Sequence, residues 1–297
     1  MKIVHSFWSK PSIVIDNGTN EKTFGGWRHK RYQYMSWALS CLTFKRYYPN
    51  IELVTDLAGK KILIDQLKLP YTSVKVELDC LNTYPEKLWA LGKLFAYGLQ
   101  NEPFIHVDND IFIWEKFNDE IEKAQLLAQH VDDEEGHYSF AIKHLKERGM
   151  IFPSVIQTDL EIYNRFNASN AGIIGGNNID FFKEYVKLAF EFVDANFNKI
   201  DKTLIGASYA IIYEQYLYSA LAREKNIKIE LFLKGKENNI INLVNFMNKY
   251  GKKKYVHLQS SSKFFFEYCR ELEHQLLLEF PEYHERIREL IEHEKRN

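Results

Sequence analysis

Apolar residues along this chain come in short runs, separated by turn-forming residues and charged stretches. Residues 2–8 make the first run, with His5, Ser6 and Trp8 near its end, and predict a strand. Pro11, Asn17-Gly18 and Gly25-Gly26 make 9–26 a loop. In 27–48 the positions Tyr34, Trp37, Ala38, Cys41, Leu42 and Lys45 follow helical spacing, and Pro49 stops the helix. A strand over 51–55, a short helix over 59–67 and a strand over 73–78 follow, the last alternating Val74 and Val76 with Lys75 and Glu77. Residues 85–99 carry Leu88, Leu91, Leu94 and Phe95 and predict a helix. The apolar run 104–114 then reads as one buried strand, broken only by Asp108-Asn109-Asp110.

Beyond Trp114 the pattern loosens. Residues 115–137 hold a helix and an acidic patch at 132–135 that reads as solvated surface, 139–143 is expected to be a strand, and 144–165 is expected to be irregular. In 166–176, FNASNAGIIGG, a polar turn enters a short apolar strand, and its glycines allow close backbone approach. Helices are expected over 179–195 and 204–223, strands over 227–232 and 255–258, and a charged helical tail over 264–296 broken at Pro281. Glu214-Gln215 on the second helix reads by default as exposed, and His257 at a strand end as structural. Strands alternating with helices predict an α/β chain with a largely parallel sheet.

Composition changes this picture little. A chain of 297 residues buries a sizeable core, and its formal net charge of −1 gives no support to a broad basic surface for nucleic acid. The 21 Phe, 18 Tyr and 5 Trp suit an aromatic core and also the stacking of sugar rings. Cys41, Cys80 and Cys269 lie far apart without zinc spacing, which predicts a reduced, cytoplasmic chain. No signal peptide is expected, and no stretch approaches the roughly 18 uninterrupted apolar residues of a membrane span.

The candidate chemistry sits at Asp108 and Asp110. On an extended strand, residues i and i+2 project to one side, so two carboxylates would share a polar spot in an apolar setting. A hard divalent cation, Mn²⁺ or Mg²⁺, compensates such a pair. Asp-Asn-Asp is also good turn chemistry, which leaves a hairpin open. Neither the dinucleotide fingerprint nor a phosphate-binding GxxxxGK[ST] loop is present.

The order of features resembles the GT-A glycosyltransferases over residues 1–265: a βα start, Asp-x-Asp, Asn-Ala-Gly, an acid-Gln pair, then His-x₅-Lys. The chain is most similar to the retaining family 8 enzymes and related bacterial polysaccharide transferases, and HSFWSKP resembles the opening of an uncharacterised group of bacterial GT-A-like proteins. The resemblance implies a Rossmann-like GT-A domain over 1–263 with a mixed, mostly parallel sheet, and a helical extension over 264–297 packed on it. It implies that Asp108, Asp110 and His257 hold Mn²⁺ or Mg²⁺, and that Lys263 contacts the donor diphosphate. Asn170, Ala171 and Gly172 match the turn beside the donor sugar, and Glu214 and Gln215 the catalytic pair near the anomeric carbon. His5, Ser6, Lys87, Lys93 and Asn109 are expected at the donor by position. Ser260 stands where the family motif H-x-x-G-x-x-K has glycine, and Glu214 stands for an aspartate. The implied activity is transfer from a nucleotide sugar, UDP favoured, to a saccharide or glycolipid hydroxyl, with retention, without nucleic acid and with at most peripheral membrane contact. The tail's mixed charge argues against a basic anchor there. The alternatives are a nucleotidyltransferase, disfavoured by the loop after strand 1, and a non-catalytic nucleotide-sugar-binding protein on a decayed scaffold.

Overall fold

The computed structural model describes residues 1–15, 22–132, 135–163, 167–199, 206–235, 240–252 and 254–296. Its strands are β1 (Lys2–Phe7), β2 (Ile13–Ile15), β3 (Lys22–Phe24), β4 (Ile51–Thr55), β5 (Ser73–Val76), β6 (Phe104–Val107), β7 (Ile111–Ile113), β8 (Leu126–Ala128), β9 (Val131–Asp132), β10 (Ala168–Ser169), β11 (Ile173–Gly176), β12 (Ile229–Leu231) and β13 (Tyr255–His257). The architecture is α/β with mixed, mostly parallel strand pairing. The chain forms two compact units, each assembled from separate segments: Met1–Asn82, Val107–Phe117 and Gly235–Asn297 in one, Thr83–His106 and Asn118–Lys234 in the other.

In the first unit β1 pairs parallel with β4, and β4 with β5. The crossover between β1 and β4 is the helix Lys30–Tyr47. Every residue from Tyr32 to Phe44 in it is buried. A helix buried nearly all round must be covered on more than one side. Here Trp37 packs on His5 and Phe7 of β1, while the C-terminal helices Phe266–Glu279 and Pro281–Arg296 also pack against it. Cys269, Leu272, Leu276, Ile287 and Ile291 of those helices share one buried cluster with Trp37, Leu42 and Leu53. Two small antiparallel pairs, β2–β3 and β7–β13, complete the unit.

In the second unit β8 pairs antiparallel with β11 and parallel with β12, and β9 pairs antiparallel with β10. At Gly175 in β11 an added Cβ would lie 2.2 Å from the Phe104 carbonyl oxygen. The close approach admits only glycine there. The stretch 206–224 is helical and opens into a π turn over Ile212–Tyr216, the turn that carries Glu214 and Gln215. Single π turns inside α-helices are frequent at functional sites.

Several elements differ from the sequence expectation. Residues 104–114 are two strands, β6 and β7, joined by a turn at Asp108–Asp110 and not forming a hairpin, since β7 pairs with β13. Residues 139–143 are helical, part of Glu135–Glu147, because Tyr138, Ala141, Ile142 and Leu145 bury one helical face. Much of 144–163 is likewise helical, with Ser154–Tyr163 placing Val155, Ile156 and Asp159 inside. Residues 85–99 split at Trp89-Ala90 into a short 3₁₀ turn and the helix Leu91–Gly98. Residues 16–21, 133–134, 164–166 and 204–205 of the expected elements lie outside the described residues.

Candidate functional site

The first cluster is built by strand register. Within the turn, Ile111 N–H donates to the Asp108 carbonyl (3.2 Å), and Ser36 Oγ donates to the Asn109 carbonyl (2.8 Å), tying the turn to the helix Lys30–Tyr47. The β7–β13 register sets His257 opposite Ile111, and Leu258 N–H donates to the Asp110 carbonyl (3.0 Å). One carboxylate oxygen each of Asp108 and Asp110 and one ring nitrogen of His257 then lie within 4.8 Å of one another. The expected i, i+2 alignment on an extended strand is thus replaced by a turn, which brings the carboxylates together by a different route.

Asp110 and His257 are buried and Asp108 is half-buried. Lys263 Nζ lies 2.6 Å from Asp110 Oδ2, and His257 Nε2 lies 3.4 Å from Asp110 Oδ1. Burial pushes the Asp110 carboxyl up, but Lys263 and then His257 outweigh it and hold it well below the usual carboxylate range. The Tyr255 hydroxyl beside them is pushed well up, by burial first and then by the charges of Asp110 and Asp108. Asp110 Oδ1 and His257 Nδ1 are buried without a well-formed hydrogen bond to any described residue. An ion with bonds of about 2.1 Å to such ligands spans about 4 Å across, so small side-chain movements close the cluster on it. Two carboxylates and an imidazole, with one carboxylate oxygen unsatisfied, fit Mn²⁺ or Mg²⁺.

Lys263 is steered from below. Its Nζ sits 6.0 Å from the Trp27 ring centroid, and a Cβ on Gly26 (φ +87) would come within 3.1 Å of Lys263 Cδ. Gly26 and Trp27 are contacts that no motif announced. Ser260, at the position where the motif has glycine, holds φ +53, the left-handed conformation glycine takes freely.

The second cluster belongs to the other unit. Lys93 Nζ lies 2.9 Å from Glu214 Oε1 and donates to the Ala171 carbonyl (3.3 Å). Glu214 lies in the π turn and is fully buried, not exposed as its default reading had it, and Tyr185 donates to its carbonyl (2.6 Å). Gln215 stays half-buried, and the Tyr138 hydroxyl is 2.8 Å from its Oε1 and 3.1 Å from Asp132 Oδ2. Tyr138 and Asp132 have no motif signal, since the helix bearing Tyr138 was not read from the sequence. Asn170 Oδ1 accepts from Gly172 N–H (2.9 Å), and Asn170 N–H donates to the His130 carbonyl (2.9 Å), so Asn170, Ala171 and Gly172 form a bonded turn. Thus Lys93, Glu214 and Ala171 meet.

The remaining sequence candidates are His5, Ser6 and Lys87. His5 is fully buried, with its ring nitrogens 3.1 Å from Ser40 Oγ and from the Tyr71 hydroxyl, and burial lowers its pKa to about 3. Ser6 and Lys87 are half-buried.

Comparison with solved structures finds similar architectures at low identity. The bifunctional glycosyltransferase WbbM is 13% identical with a TM-score of 0.46, over 87% of this chain; the chain spans 45% of WbbM's length. Mouse xyloside xylosyltransferase 1 is 9% identical with a TM-score of 0.39, over 86% of this chain and 96% of that one. The galactosyltransferase LgtC, solved with donor and acceptor sugar analogues, is 10% identical with a TM-score of 0.43, over 92% of this chain and 95% of its own. No curated protein matches the sequence. A protein-family model does match, over residues 1–290, and by it the chain belongs to DUF6734, a family of unknown function.

Proposed function

We propose that this protein is a metal-dependent glycosyltransferase that moves a sugar from a nucleotide-sugar donor, UDP favoured, to a saccharide or glycolipid hydroxyl, with retention. The observation that carries the reading is the cluster of Asp108, Asp110 and His257 beside Lys263. These three side chains would hold Mn²⁺ or Mg²⁺, which supplies Lewis-acid stabilisation of a diphosphate leaving group. Lys263, sited next to Asp110, adds positive charge where the leaving group becomes negative. Asn170, Ala171 and Gly172 would bind the donor sugar, with Asn109 at its diphosphate. Glu214, held by Lys93, and Gln215, held by Tyr138, would face the anomeric carbon. The catalytic domain is proposed to be 1–263, with the helical extension 264–297 packed on it, working in the cytoplasm. Among the described residues no helix is long and apolar enough to cross a membrane.

Calorimetric titration of Mn²⁺ into the full chain tests the metal centre. Binding that is lost in Asp110→Asn and in His257→Ala supports the reading, and unchanged binding in both variants overturns it. Thermal unfolding against UDP-, GDP- and CMP-sugars then assigns the donor. A saturating ligand at about 100 times its dissociation constant adds roughly 2.7 kcal/mol. Product-anomer analysis by NMR decides retention, and an inverted product removes that part of the proposal.

A further inference from the structure

We infer that the surface formed by Phe264, Phe265 and Phe266 with Arg28 and Arg270 is an interfacial contact for an anionic lipid bilayer. The three phenylalanines follow Lys263 directly and are 38%, 54% and 60% exposed. Three consecutive large apolar side chains left in water, all in one unit, are more than the scattered exposure normal for a soluble surface. Arg28 lies 5.8 Å from the Phe264 ring centroid, and Arg270 lies 5.7 Å from that of Phe266. Neither arginine makes an ion pair among the described residues, so both charges remain available to an outside anion.

The basic character extends into the start of the helix Lys30–Tyr47, through Arg28-His29-Lys30-Arg31. Lys30 is spent on Glu294, and Arg31 leans towards Glu273 at 3.9 Å. His29 still experiences a positive surrounding: its pKa is lowered by burial and then by Arg31, Lys295 and Lys30. Glu267 is the one acid inside the phenylalanine run's first helical turn. Rings that enter the headgroup boundary, with guanidinium groups stacked on them to meet lipid phosphates, are the chemistry of a peripheral bilayer contact. A purely apolar protein partner would leave the two stacked arginines unmatched, which is why the bilayer is the occupant chosen. The contact needs residues far apart in sequence, so the composition of the C-terminal tail alone does not reveal it. Because the patch adjoins Lys263, an acceptor carried by that bilayer would be delivered beside the metal centre; this last link rests on the transferase reading, while the lipid contact itself does not.

The test is co-sedimentation of the full chain with vesicles of phosphatidylcholine alone and of phosphatidylcholine mixed with phosphatidylglycerol. The expected result is binding to the anionic vesicles, weakened by salt, and reduced at least about tenfold in Phe264→Ser/Phe265→Ser/Phe266→Ser and in Arg28→Gln/Arg270→Gln. Circular dichroism melts of both variants, and of Phe265→Ser/Phe266→Ser, which spares the mostly covered Phe264, separate lost binding from misfolding. Arg28→Lys/Arg270→Lys should retain most of the binding. Failure of the wild type to bind anionic vesicles, or binding that survives the triple phenylalanine change, overturns the inference and leaves the patch to a protein partner. Vesicle binding needs no turnover, so its failure is separate from any failure of glycosyl transfer.

Discussion

Ser260 and Lys263 show how much one residue settles at this centre. Ser260 holds a left-handed backbone that costs a non-glycine residue roughly 1–2 kcal/mol, while glycine pays some chain entropy to be there. Ser260→Gly is therefore expected to stabilise the protein by up to about 1 kcal/mol in urea unfolding, with Mn²⁺ binding kept. Lys263 is the nearest cation to Asp110, and removing one member of a buried pair leaves an uncompensated charge. Lys263→Met should cost about 3 kcal/mol in the metal-free chain, and Mn²⁺ should restore most of it in calorimetric melts. His5 carries a third expectation. Its folded pKa of about 3 lies below the unfolded value of 6.5, so unfolding takes up a proton. The stability it contributes is present above pH 6.5 and drains as pH falls from 6.5 towards 3, by up to about 5 kcal/mol. His5→Gln should flatten that part of the stability–pH curve, measured by urea midpoints.

At the level of elements, the π turn Ile212–Tyr216 carries Glu214, which is buried and paired with Lys93. Glu214→Ala removes the carboxylate paired with Lys93 in a nearly closed site and is expected to destabilise by about 3 kcal/mol, whereas Glu214→Leu with Lys93→Met should recover much of the loss in a double-mutant cycle. This is also where sequence reading reached its limit. The helix Lys30–Tyr47 was legible because Tyr34, Trp37, Ala38, Cys41 and Leu42 keep helical spacing up to Pro49, and the strands β1, β4 and β13 because they are short, mostly apolar runs with polar residues at their ends. The helix Glu135–Glu147 was not, because an acidic stretch precedes it and its buried Tyr138, Ala141, Ile142 and Leu145 are diluted by charge. Asp108, Asp110 and His257 could be nominated by residue type and order, yet their proximity comes from the β7–β13 register, which no local pattern encodes. Gly26 and Trp27 beneath Lys263 are purely tertiary contacts.

Across the whole molecule, the first unit is held at its rim by Glu279. It accepts from Trp114 Nε1 at 2.8 Å and pairs with Lys249 at 2.7 Å and with Arg46. The two C-terminal helices also supply core residues packed with Trp37 and Leu53. Removing residues 266–297 should therefore abolish cooperative unfolding of the chain, read as loss of a sharp thermal transition. The segment order has a consequence during synthesis. The three pieces of that unit are separated by the whole of the other, and its last piece begins at Gly235. A growing chain on the ribosome thus makes Asp108 and Asp110 long before His257 and Lys263 emerge. Domains generally fold as units while they are made, N-terminal parts first. Here the opening segments must wait for the final one, so the candidate metal site is completed only late in synthesis, and a product terminated before His257 carries its carboxylates without the imidazole and the lysine.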